Sequence, residues 1–440
     1  MPACPAGLLK TGCAALAEVV SSISIARRAR ADPKTLKILK WVYPIAAYDD
    51  WFIDSYIKEW GGENNTEVLV DRVGLGEVNS GAMAEAERRQ GHDLIMLLTP
   101  GATYEDQVID HREIYDECER RYGKPTDFAI RTTYNPRTGK YFGVSLGYQA
   151  AVTVYDKGWW DAAPVRPDSW ANILAGGRQI RLLNDKPVGF SLAPEINGEW
   201  TMRAIMYCFG SSEQDEKGNL TLHSHATLEA IKYVKAVYDE AMTKDVLSWD
   251  AASNNRFMLN GEGSLTLDTV SIPRARESMS SSIADNLGLA KMPEGPAAQV
   301  GPAFGVITAL IWSFAQNIES AERFLVDYIG HSRQALLTSG FHKMPVWPAT
   351  VPELTEILTD DPVGGSSGTY SLLADAATWT TNIGHPGHTN AAISEIFHRG
   401  LIPTMFARAA TGQLTPEEAL EEADSEVRPI FQKSKERGKV

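Results

Sequence analysis

LKILKWV at residues 36–42, EVLVDRV at 67–73 and DLIMLL at 93–98 are the runs whose reading decides the fold. Each is short, rich in apolar residues and of single-strand length. Between the first two, Trp51, Phe52, Ile53, Tyr56, Ile57 and Trp60 follow Asp49 and Asp50 at helical spacing, and Gly61-Gly62 is expected to close that helix. Between the second and third, Val78 to Gln90 reads as a helix that stops at Gly91. Strand, helix, strand, helix, strand predicts a parallel sheet with right-handed crossovers, so the fold class is α/β.

Further along, residues 142–156 (FGVSLGYQAAVTVYD) are extended and apolar, as in a chain passing between two bodies, and 301–312 repeat that texture. Pro167-Asp168-Ser169-Trp170 looks like a capped helix start, and DEKGN at 215–219 a turn between short strands. Thr415-Pro416-Glu417-Glu418 has an N-cap, a first-turn proline and a capping-box glutamate in sequence. No repeat or low-complexity tract interrupts the chain.

With 440 residues, one core is too few and two domains are expected. Hydrophobic residues at 43% and charged residues at 22% are the balance of a globular protein. A formal net charge of −14 leaves no broad basic footprint, so nucleic acid is not an expected partner. Four cysteines without C-x-x-C spacing argue for buried thiols at Cys118 and Cys208. Leu16 to Ile25 is weakly apolar but broken by Glu18 and three serines, and Arg27, Arg28 and Arg30 follow it rather than precede it. Residues 1–35 therefore read as a poor signal or a disordered leader.

Four blocks in register carry a resemblance. GVSLGYQAAVTVYDKGWWD (143–161), PDSWANI (167–173), NGEGSLTLD (260–268) and GQLTPEEA (412–419) resemble the extracellular solute-binding proteins of bacterial ABC importers, in the sugar-binding group that includes maltose-binding protein. The resemblance spans roughly residues 36–431. It implies two lobes, each a sheet flanked by helices, with ligand in the cleft between them: residues 36–147 with 300–344 in one, 148–299 with 345–440 in the other. It further implies hinge closure near Tyr148–Ala151 and Phe304–Val306, a monomer outside the cytoplasmic membrane, and the importer's membrane subunits as partners.

A sugar or polyol site pairs aromatic faces with polar side chains that meet hydroxyl groups. Trp200, Trp249 and Trp379 sit in loop-like or element-edge contexts and are candidate ligand contacts, with Trp347 behind them. Asp268 ends a buried apolar strand, where a free carboxylate is costly unless it meets a partner. Gln149 occupies a position where the resembling proteins often carry glutamate. Asp49 or Asp50 follows the first strand at the crevice edge of an open sheet, unless it caps the next helix; Thr99 follows the third strand. His388 lies in the glycine-bearing loop His385-Pro386-Gly387-His388. Two histidines three apart are too few for a metal, and Asp360-Asp361 reads as a solvated turn rather than a calcium loop. No G-x-x-x-x-G-K or H-E-x-x-H is present, so no catalytic residue, metal or cofactor is assigned. The alternatives are a carbohydrate-active enzyme, which needs a carboxylate pair such as Asp268 with Glu195 or Asp50, and a binding module used as a sensor.

Overall fold

The structure, a computed structural model, describes residues 34–277, 286–365 and 368–440. Apart from Lys34 and Thr35, which begin the first strand, the expected leader over 1–35 lies outside the described residues, as do Cys4 and Cys13. Among the described residues, nine strands build the two larger sheets: β1 (Lys34–Trp41), β2 (Thr66–Val73), β3 (Leu94–Leu97), β4 (Val144–Tyr148), β5 (Val152–Asp156), β6 (Val188–Gly189), β7 (Leu265–Asp268), β8 (Leu287–Ala290) and β9 (Val306–Ile311). The first sheet has the order β2-β1-β3-β9-β4 and the second β8-β5-β7-β6. This is the mixed α/β, two-lobed architecture.

The three N-terminal strands pair in parallel, as their spacing predicts. All four residues of β3 are buried, which suits a continuous apolar run covered on both faces. The sheet as a whole is mixed, because β9 runs antiparallel to both β3 and β4. Its chain returns from the second sheet and enters against its neighbours.

The first helical stretch corrects two expectations. It runs from Ala46 to Glu63, with a π-helical middle over Trp51–Tyr56, so Asp49 lies inside it rather than capping it. Gly61-Gly62 does not end it either. A Cβ on Gly61 would sit 2.5 Å from the Thr66 carbonyl oxygen, so this glycine lets the helix approach β2 closely. The next helix spans Leu75–Arg88, shifted from the expected 78–90, since Arg89 in the left-handed region stops it.

The caps fall where the residues place them. Ser169 Oγ accepts from Asn172 N at the head of the Trp170–Asn184 helix. Thr415 and Glu418 form a reciprocal capping box on the Pro416–Glu436 helix. Thr415→Ala is expected to cost about 1 kcal/mol, read as a small drop in the denaturation midpoint with ligand affinity unchanged.

Two extended segments carry the chain between the sheets. Residues 149–151 link β4 to β5, and residues 303–305 lead back into β9. They lie side by side: Gln149 N donates to Gly305 O (3.0 Å) and Phe304 N to Gln149 O (2.9 Å). Gly305 has φ +116°, and a Cβ there would fall 2.3 Å from Leu98 Cδ1, so only glycine fits. Cys118 and Cys208 are buried free thiols. Among the described residues no helix is long and apolar enough to cross a membrane.

Candidate ligand-binding cleft

A cavity of about 230 Å³ opens where the strand ends of the two sheets face each other. One side is built from Trp41 and Val42 at the end of β1, Leu98 just past β3, and His342. The other comes from Asn197 and Trp200 on the Ile196–Cys208 helix, Asn255 on the Ser253–Leu259 helix, and Asp268, Thr269 and Ser271 at the end of β7. Gln149 and Phe304, from the two crossing segments, form the floor. Trp200 packs on Phe304 with ring centroids 5.2 Å apart.

Among the described residues lining this cavity, Asp268 is the single charged one. Its Oδ1 accepts from Thr269 N (2.5 Å), Thr269 Oγ1 (3.2 Å) and Ser271 Oγ (3.3 Å); its Oδ2 accepts from Asn254 Nδ2 (3.0 Å). These bonds hold the carboxyl in place but bring no cation. Burial therefore dominates and pushes the acid up to about 7, against the pull of the Thr269 and Ser271 hydrogen bonds. Glu195 stands near enough to oppose its ionisation, but its own oxygens are engaged by Asn197 N (2.9 Å) and Gly198 N (2.8 Å) at the helix start.

Across the cavity, His342 Nδ1 lies 2.9 Å from Tyr43 Oη and 3.3 Å from Gln149 Nε2. Burial pulls the imidazole down to about 4, so it is neutral at physiological pH. With the Gln149 amide donating to Nδ1, the ring proton resides on Nε2. The cavity thus offers a carboxyl acceptor, side-chain amides, a neutral imidazole and two indole faces. That set bonds hydroxyl groups and packs on C–H surfaces.

The candidates separate by place. Gln149, Trp200 and Asp268 come together in this cavity. Thr99 lines a smaller neighbouring chamber that Trp200 also borders, and its Oγ1 donates to Asn79 Oδ1 (2.8 Å). Asp49 lies behind the cleft, bonded to the buried Lys40 ammonium (2.5 Å) and to Tyr43 N (3.1 Å), while Asp50 is exposed on the helix. Trp249 fills the core against Phe257 and Gly189. Trp379 is buried, its indole N–H donating to Ala151 O (3.3 Å), and Trp347 likewise donates to Ser145 O (3.3 Å). His388 Nδ1 meets Tyr134 O (2.9 Å) beside a separate surface cavity near the C-terminus. Asp361 is not solvated as its neighbours suggested: it is buried and receives the Arg274 guanidinium at 2.8 and 3.0 Å.

The sequence reading did not single out His342, Asn197, Asn255, Ser271 or Trp41 as ligand contacts. The available signal for His342 was slight: one histidine of nine, after a Ser-Gly turn. Phe341 before it sits at φ +70°, a strained position of the kind that gathers at functional sites.

This fold is that of the sugar-binding solute-binding proteins of ABC transporters. The maltose-bound MalE3 of T. maritima superimposes with a TM-score of 0.72 over 90% of this chain and 99% of its own, at 17% identity. A sugar transporter of Arthrobacter chlorophenolicus A6 with bound laminaribiose gives 0.74 over 90% and 99%, at 13% identity. An ABC transporter solute-binding protein of Agrobacterium radiobacter K84 in complex with ribitol gives 0.70 over 91% and 99%, at 16% identity. In sequence, the chain is 22% identical over 268 residues to a protein of Brucella abortus strain 2308 named for a binding role; the match spans 57% of this chain and 64% of that relative. No protein-family model matches the chain.

Proposed function

We propose that this protein captures a sugar or sugar-like polyol in the interlobe cavity and delivers it, unchanged, to the membrane subunits of an ABC importer. The observation that carries the reading is the cavity itself: indole and phenyl faces of Trp41, Trp200 and Phe304 beside Asp268, Asn255 and His342, at the meeting of two sheets. The neighbours in fold hold maltose, laminaribiose and ribitol. In this reading the protein acts as a monomer outside the cytoplasmic membrane. Its lobes comprise residues 36–147 with 300–344, and 148–299 with 345–440, and they close about 148–151 and 304–306.

Hydrolysis is disfavoured on the arrangement of carboxylates. Glycoside cleavage needs two acids flanking the bond, one to donate and one to attack or activate water. Here Glu195 is committed to a helix start and Asp50 is exposed away from the cavity, leaving Asp268 without a counterpart among the described residues lining it.

A thermal-denaturation screen of monosaccharides, disaccharides and polyols tests the proposal. A ligand present at a hundred times its Kd stabilises the native state by about 2.7 kcal/mol. The expected result is a midpoint that climbs with concentration for one chemical group of the panel, with the ligand recovered intact. No shift at millimolar concentration across the panel would reject the reading.

A further inference from the structure

We infer that Trp200 sets the length of the ligand, so that the cleft holds one sugar ring or an acyclic polyol of similar size and refuses oligosaccharides. This rests on the sugar-binding reading of the cleft. Two chambers meet at the same wall: the main cavity of about 230 Å³ and a second of about 20 Å³ are both lined by Trp200 and Leu98.

Three separate elements make that wall rigid. Trp200 stands on the Ile196–Cys208 helix, whose first turn is pinned by Glu195, and it is 4% exposed. Phe304, on the returning crossing segment, backs the indole at a ring angle of 34°. Leu98 comes from the opposite sheet and is pressed against Gly305 so tightly that no Cβ is tolerated there. Shifting the wall means breaking packing from both sheets at once.

The volumes decide what fits on each side. About 10–15 Å³ is the least space that accommodates one water, so the far chamber takes a water and not a second ring. The near chamber falls below the roughly 300–1,000 Å³ of sites for drug-sized ligands, which suits a ligand of one ring. Growth in the other direction is no better served. The exposed rim is made of Val42, Pro44, Ala251 and Ala252, none of whose side chains can bond a hydroxyl group. A second ring there would lie on an apolar edge with its hydroxyls paired only to solvent.

Titration calorimetry on the full chain tests this with two homologous series, glucose, maltose and maltotriose, and xylose, xylobiose and xylotriose, together with ribitol and mannitol. The expected result is that a monosaccharide or a polyol binds at least tenfold tighter than any disaccharide. Trp200→Ala joins the chambers and is expected to cut that preference at least tenfold, whatever it does to monosaccharide affinity. Leu98→Ala, which thins the same wall from the other sheet, is expected to cut it in the same direction and serves if the tryptophan variant does not fold. Disaccharides binding as tightly as single rings in the wild type would overturn the inference while leaving the sugar reading intact. So would a preference unchanged in the folded variants. No binding by any member of the panel would overturn the sugar reading itself, and the length rule with it.

Discussion

Asp268→Asn is expected to make the ligand-free protein more stable at pH 8 by up to about 4 kcal/mol, and to leave it unchanged below about pH 4. The folded-state acid lies near 7, raised from its ordinary value of 3.8; three units at about 1.36 kcal/mol each set the figure. The sign follows from proton counting. Between about pH 4 and 7 the folded chain keeps a proton on Asp268 that the unfolded chain releases, so the Asp268 contribution to stability falls as pH rises through this window. Asparagine imitates the protonated acid and removes the dependence. Ligand affinity should move the other way. Losing a desolvated charged acceptor typically costs about 2–5 kcal/mol, or roughly thirty-fold or more in Kd at neutral pH. Urea midpoints at pH 4 and pH 8, with calorimetry at pH 7.5, read both quantities. A variant that is less stable at pH 8, or one with wild-type affinity, would show that the four hydrogen bonds to Asp268 serve the fold and not the ligand.

Arg203→Met is expected to destabilise the protein by about 3–5 kcal/mol at neutral pH, the cost of breaking a buried ion pair by removing one partner. Arg203 is fully buried, with Nε on Glu213 Oε1 (2.6 Å), Nη1 on the Glu199 carboxylate, and its guanidinium over the Phe397 ring. Burial, eased by the arginine, pushes Glu199 up to about 8, and Glu213 is the second carboxylate on the guanidinium. Methionine leaves Glu213 buried without its cation. The double variant Arg203→Met with Glu213→Gln should recover most of the loss. Denaturation midpoints at pH 7.5 check this; equal losses in the single and double variants would mean that packing of the arginine stem, and not charge, is what matters.

The helices and strands of this protein are local statements, and most were legible one segment at a time. LKILKWV, EVLVDRV and DLIMLL form neighbouring parallel strands, Ser169 and Thr415 cap the helices they precede, and the 143–161 block passes from one sheet to the other. Errors arose where a residue answered to a partner on another element. Gly61 looked like a stop and is instead a contact with Thr66; Asp361 looked solvated and is instead held by Arg274, 87 positions away.

The cleft shows the same division. That Asp268 ends an apolar strand, and that Gln149 lies in a segment crossing between sheets, could be read from their immediate neighbours. That both reach the cavity while Trp379 and Trp249 turn into the core could not. An indole looks alike to its flanking residues in either setting, and its side is chosen by Ala151 or Gly189 on another element. His342 joins the cleft because Tyr43, 299 positions earlier, and Gln149 orient its ring. Sequence alone determined the α/β class and the order of many elements, because hydrophobic period and capping act over a few residues, while the two-sheet plan was what the resemblance implied. Only the tertiary structure decided which polar groups share the cavity, what raises Asp268, and where Trp200 divides the space, because burial and pairing there depend on residues brought together from both sheets.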